Sequence, residues 1–143
     1  MKPDTTLRYG TLTRLFHWGM AACYLFMFAT ALAWNLDGSL KFLIGAHKAA
    51  GVLLLLMTFA RFLWALKNLR RRPEGSLKAK LGHLALYALM FAAPASGMAR
   101  QFEAPFGAAH GALAFLLLLL VGGHIAMTVL HQRKGEAVLQ RMA

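Results

Sequence analysis

Apolar residues gather into four long runs with short polar punctuation between them. The runs cover about residues 15–33, 43–66, 81–99 and 108–131. At about 1.5 Å per residue, each can cross a hydrocarbon core about 30 Å thick as a helix. The segments between them carry helix breakers. "WNLDGSLK" (34–41) holds Asn, Asp, Gly and Ser. "KNLRRRPEGSLKAK" (67–80) holds Pro73 and Gly75, which end any helix there. "RQFEAPFG" (100–107) forms the third connection. Residues 1–14 form a polar lead, and "QRKGEAVLQRMA" forms a short tail with an interfacial turn of helix. Pro94, followed by Ser96 and Gly97, predicts a kink late in the third helix. Loops this short make consecutive helices antiparallel neighbours. The expected fold is an all-α membrane protein: one domain over residues 1–143, built as an up-down bundle of four transmembrane helices.

Composition agrees. The chain is 59% hydrophobic, with a mean hydropathy of +0.53. A soluble domain of 143 residues would need more polar surface. The net charge of +11 first suggests nucleic acid, but its distribution does not. All of the 16 basic residues except Lys41, Lys48 and Arg100 fall in the N-terminal lead, the 61–80 region or the tail. In a bundle with an even number of spans these share one side. That is the positive-inside pattern, so both termini are expected in the cytoplasm. "RRRPEG" then reads as a cytoplasmic loop beside anionic lipid headgroups, not as a nucleic-acid module.

Two further features narrow the picture. "ALA" at 31–33 follows a basic start and an apolar stretch, as in a cleaved signal peptide. The stretch is long for that purpose and carries His17 at its head, so a retained first helix is expected. The one cysteine, Cys23, offers neither a disulfide nor a covalent haem motif and reads as a packing residue.

Six histidines carry the chemistry. An ionisable ring in a membrane span is costly and normally faces the bundle interior. Ranked by depth, His47 and His110 share the periplasmic level, and His17 and His124 share a level near the cytoplasm. His110 and His124 are 14 residues apart, about four helical turns, so they face one core at two depths. Facing imidazoles on different helices suit a bis-histidine site for haem iron. Glycines flank each: Gly45 and Gly51, Gly107 and Gly111, Gly122 and Gly123, and Gly19. They leave room for a macrocycle, or serve close helix packing. A lone histidine would read as a hydrogen-bonded interfacial ring, and four matched by depth do not. Metal transport would want carboxylates, and all five acids lie outside the spans.

The segments "RLFHW", "IGAHKAAGVLLLLMTFARFLW", "LGHLALYALMFAAPASG" and "AHGALAFLLLLLVGGHIAMTVLH" together resemble the bacterial cytochrome b561 family over nearly the whole chain. The resemblance implies a di-haem b electron carrier of the bacterial inner membrane. One non-covalent haem b would be held by His47 and His110, and the other by His17 and His124. Some members look like oxidases of periplasmic superoxide that pass electrons to ubiquinone.

The remaining polar residues fit that picture as candidates. Arg61 lies 14 residues after His47 and would reach a haem propionate, or else snorkel as a membrane anchor. His131, Lys78, Lys80 and His83 gather at the cytoplasmic end, where a quinone needs hydrogen-bond donors and protons, or where lysines meet headgroups. Lys48 would draw a small periplasmic anion. The leading expectation is a quinone-linked oxidoreductase taking electrons from a periplasmic donor. The alternative is a haem-bearing anchor subunit that relays electrons for a soluble dehydrogenase partner. A haem-free transporter or structural bundle is the third class.

Overall fold

The computed structural model describes residues 2–71 and 75–142. Arg72 and Pro73, read above as part of a loop, lie outside the described residues. Four long helices carry the fold: α1 (Thr11–Leu36), α2 (Leu43–Lys67), α3 (Leu77–Gln101) and α4 (His110–Arg133). A short α5 (Val138–Met142) is the expected helical turn in the tail. No strand occurs among the described residues.

The helices run further than the apolar runs did. Residues 34–36 and 100–101, expected in loops, complete the last turns of α1 and α3. The connections shrink into 3-10 turns at Gly38–Phe42 and Pro105–Ala109. Polar side chains are comfortable in a terminal helical turn at a membrane surface, so hydropathy alone ends helices too early. The Asp37 carboxylate caps the first of these turns by accepting the Ser39 N–H at 2.9 Å. Ser76 caps α3, its hydroxyl accepting the Ala79 N–H at 3.2 Å. α3 runs unbroken through Pro94.

Consecutive helices pack as neighbours, α1 on α2, α2 on α3 and α3 on α4. All four are long and apolar enough to cross a membrane. Only 6% of the most apolar stretch of α4 is buried inside the protein. Leu25, Leu56, Leu116 and Leu119 all point outward. Each such side chain would lose about 1.5–3 kcal/mol of burial free energy if left in water. Lipid is the environment that removes this cost, and helices satisfy their own backbone within it.

The inward stripes repeat every seven residues, as left-handed bundle packing requires. On α2 the stripe runs His47, Leu54, Arg61, Asn68; on α4 it runs His110, Leu117, His124, His131. Leu54 and Leu117 are fully buried and join Met20, Tyr24, Met90 and Ala93 in the central core. This apolar septum lies between two polar layers, one holding His47 and His110, the other holding Arg61 and His124. Seven residues rise about 10 Å, so the layers stand about 20 Å apart along the bundle.

The end where α1 and α3 begin is tied together by polar contacts. Thr13 donates to the buried Asp4 carboxylate at 2.8 Å, and Trp64 Nε1 donates to Thr13 Oγ1 at 2.9 Å. Asp4 also accepts the N–H of Gly10, the residue before α1. Trp18 Nε1 donates to the Met142 carbonyl at 3.0 Å, which fastens α5 to α1.

Candidate functional site

In the first layer the rings of His47 and His110 face each other, centres 6.4 Å apart and planes at 84°. An imidazole nitrogen lies about 1 Å from its ring centre and binds a first-row metal at about 2 Å, so two trans ligands stand about 6 Å apart, centre to centre. The two rings are therefore spaced so that both could reach one metal ion placed between them.

The tautomers in this layer follow from the partners. His110 Nδ1 lies 2.9 Å from the Ala93 carbonyl, which can only accept, so Nδ1 carries the proton. Ser96 Oγ stands 3.1 Å from the same nitrogen and donates its own proton to Ala93 O. His47 Nδ1 lies 3.1 Å from Thr30 Oγ1. The Thr30 proton goes to the Phe26 or Met27 carbonyl, so the hydroxyl accepts from His47. In both rings Nε2 is left with its lone pair, the state of a metal-ligating imidazole whose other nitrogen donates to a fixed acceptor. Trp34 closes one side of His47, with ring centres 4.9 Å apart.

The second layer holds three rings. His17 and His124 stand 6.3 Å apart with planes at 62°, again close enough for both to reach one metal ion between them. His83 stands 5.5 Å from His124 and donates Nδ1–H to the Ala79 carbonyl at 2.7 Å. Among the described residues, no group of three or more His, Cys, Asp or Glu side chains converges on a metal-sized point. The arrangement is thus of paired rings and not of a tetrahedral ion site.

Arg61 reaches into this layer. Its guanidinium lies 3.5 Å from His17 Nδ1, 3.9 Å from Met20 Sδ and 6.0 Å from the Tyr87 ring centre. It is half-buried, and no carboxylate pairs with it among the described residues. The Arg61 side chain reaches inward and lies beside the rings of this layer, where an anionic group would complete it.

The glycines divide by role. A Cβ at Gly45, Gly111, Gly122 or Gly123 would meet nothing within 4 Å, and all four lie exposed on the outside of the bundle, so they neither pack helices closely nor line the space between the rings. Gly107, grouped above with the room beside His110, does another job. A Cβ there would strike the Arg100 backbone, so it permits the tight α3–α4 connection. Gly19 and Gly51 pack against Met57 and Met27.

The quinone candidates are only partly brought together. His83 stands one layer deeper than expected, against His124. His131 lies at the bundle rim, its Nδ1 2.8 Å from Glu136 Oε2. Lys78 and Lys80 lie exposed on the first turn of α3. Lys48 is exposed beside His47. Sequence reasoning missed Thr30, Ser96 and the Ala93 carbonyl as partners of the rings. Lone hydroxyls in otherwise apolar spans were the available signal.

Residues 8–143 match the prokaryotic cytochrome b561 family. The chain belongs to that family. It is also similar to cytochrome b561 homolog 2 of Escherichia coli (strain K12), 36% identical over 105 residues. The matched part is 66% of this chain, and the chain spans 55% of that relative's length. Cytochrome b561 membership agrees with the four helices long and apolar enough to cross a membrane. The paired rings, those of His47 and His110 tethered through Nδ1, are a donor set that fits haem.

Proposed function

We propose that this single-domain cytochrome b561 binds two haems b and moves electrons across the bacterial inner membrane to ubiquinone, with both termini in the cytoplasm. His47 and His110 would hold one haem at the periplasmic level; His17 and His124 would hold the other. Bound haem supplies reversible one-electron chemistry. The observation that carries the reading is the pair of facing rings at 6.4 and 6.3 Å in two layers of one bundle.

The chain's own residues do the rest. The Ala93 carbonyl and Thr30 hydroxyl fix the ring orientations in the first layer. The septum of Leu54 and Leu117 keeps water out between the layers. Arg61 supplies a cation for a propionate, a group that replaces the missing carboxylate. If His17 Nε2 were to hold iron, Nδ1 would carry the proton, and the Arg61 guanidinium 3.5 Å away would stand beside it as a neighbouring charge and not as a hydrogen-bond partner.

Lys48 offers a small anion such as superoxide a cation at the periplasmic face. Each superoxide oxidised to dioxygen releases one electron. Two such events, with two protons taken up on the cytoplasmic side, reduce one ubiquinone to ubiquinol. His131, oriented by Glu136, is the proton donor of choice, and Lys78, Lys80 and His83, on the first two turns of α3, are further candidates.

The purified chain in lipid nanodiscs tests this directly. Ubiquinone-dependent reoxidation of the superoxide-reduced protein, without a partner, supports the reading. Haem reduction only when a soluble dehydrogenase is added would favour the anchor-subunit alternative.

A further inference from the structure

The two layers surround their rings with opposite electrostatics. In the His47 layer both Nδ1–H groups donate to oxygen acceptors, Thr30 Oγ1 at 3.1 Å and Ala93 O at 2.9 Å, with Ser96 Oγ beside the second. Such acceptors make a ligating imidazole more electron-rich and favour the oxidised, more positive metal. In the His17 layer the nearest polar group to the ligand is a cation, the Arg61 guanidinium at 3.5 Å. A positive charge in a low-dielectric interior favours the reduced, less positive metal.

Other charges do not undo this contrast. Lys48 is adjacent to His47 in sequence but exposed, so water and salt screen it. Arg14, one turn before His17, is half-buried and its Nε has no hydrogen-bond partner, which adds to the positive field of the same layer. Asp4 is the one carboxylate buried at this end; it lies against Thr13, one turn before His17, takes three hydrogen bonds from Gly10 and Thr13, and offsets Arg14 rather than Arg61, which lies closer to the ring. Helix dipoles are balanced at each end, since two helices begin and two finish there.

We infer that Arg61 on one side and Thr30, Ala93 and Ser96 on the other set the redox order of the two sites. The His17/His124 site holds its electron more tightly than the His47/His110 site. The inference rests on the di-haem reading above and adds a direction to it: electrons run from the His47 layer to the His17 layer, toward the end that carries His131. Arg61 and Thr30 act here as positioning and field residues, not as ligands. If Arg61 also pairs with a propionate, it cancels a negative charge beside the same iron and moves the potential the same way.

The experiment is a spectroelectrochemical titration of the purified haem-loaded protein, followed by Arg61→Gln, Arg61→Lys and Thr30→Val. Wild type is expected to show two midpoints separated by at least tenfold in reduced-to-oxidised ratio, about 59 mV for one electron. Arg61→Gln should lower the higher midpoint by a comparable factor and leave the other within a fewfold. Arg61→Lys, which keeps the charge, should restore much of the separation. Thr30→Val should raise the lower midpoint, and it tests the same order should Arg61→Gln fail to assemble. Coincident midpoints, or a fall of the lower midpoint in Arg61→Gln, would overturn the redox order while leaving a di-haem protein in hand. A protein that binds fewer than two haems would overturn the di-haem reading, and this inference with it.

Discussion

Gly97 lies flat beneath His110. A Cβ at Gly97 would stand 3.0 Å from His110 Cε1 and 3.2 Å from Nδ1. The glycine belongs to the same stretch of α3 that supplies the Ala93 carbonyl and Ser96 hydroxyl to that ring. Together they form a notch that admits the imidazole and fixes its tautomer.

Gly97→Ala should therefore push the ring off its acceptor. The helix itself tolerates alanine better than glycine, by about 1 kcal/mol. Fold stability should hold or rise while the His47/His110 haem is lost or converted to a high-spin form. Optical spectra beside thermal unfolding curves check this; an unchanged low-spin spectrum would show that the notch is not restrictive.

His110→Ala should remove one haem and leave the other, because His17 and His124 make their own pair in a separate layer. Haem-to-chain ratio is the measurement. Loss of both would mean that the two layers assemble cooperatively, as haem binding contributes to folding.

His131→Ala should keep both haems and slow ubiquinone reduction. Glu136→Gln should do the same more mildly, since it weakens the 2.8 Å contact that orients the ring. Steady-state turnover with unchanged haem spectra checks both variants. Undiminished turnover in His131→Ala would move the quinone elsewhere.

Thr13→Val should destabilise the end of the bundle where α1 begins. It strips the buried Asp4 carboxylate of one donor and leaves Trp64 Nε1 without its acceptor. A loss of about 1–3 kcal/mol is expected from such orphaned buried groups. Thermal melts of the two proteins in the same lipid check it; equal melting points would mean that water satisfies both groups.

The four spans, their antiparallel order and the level matching of His47 with His110 and of His17 with His124 were legible in the sequence. Hydrophobic run length and the seven-residue spacing from His110 through Leu117 to His124 and His131 are one-dimensional signals, and membrane packing preserves them. What ring partners do was not legible. Thr30 and Ser96 reach His47 and His110 through tertiary contacts between different helices, and nothing in the linear pattern marks which hydroxyl faces which ring. The same holds for His83. Its place near the start of α3 suggested the quinone end, yet the packing of α3 on α4 sets its ring against His124. Gly107 and Gly97 were likewise indistinguishable as letters. The first relieves a backbone clash with Arg100, the second a ring clash with His110.

Haem quantitation of the purified wild-type chain, with its reduced-minus-oxidised spectrum, bears most directly on the paired-ring assignment. Two low-spin, bis-histidine haems b per chain are expected, falling to one when either His110 or His17 is replaced. A chain that folds with no haem, or one whose haem content is unaffected by both replacements, would contradict it.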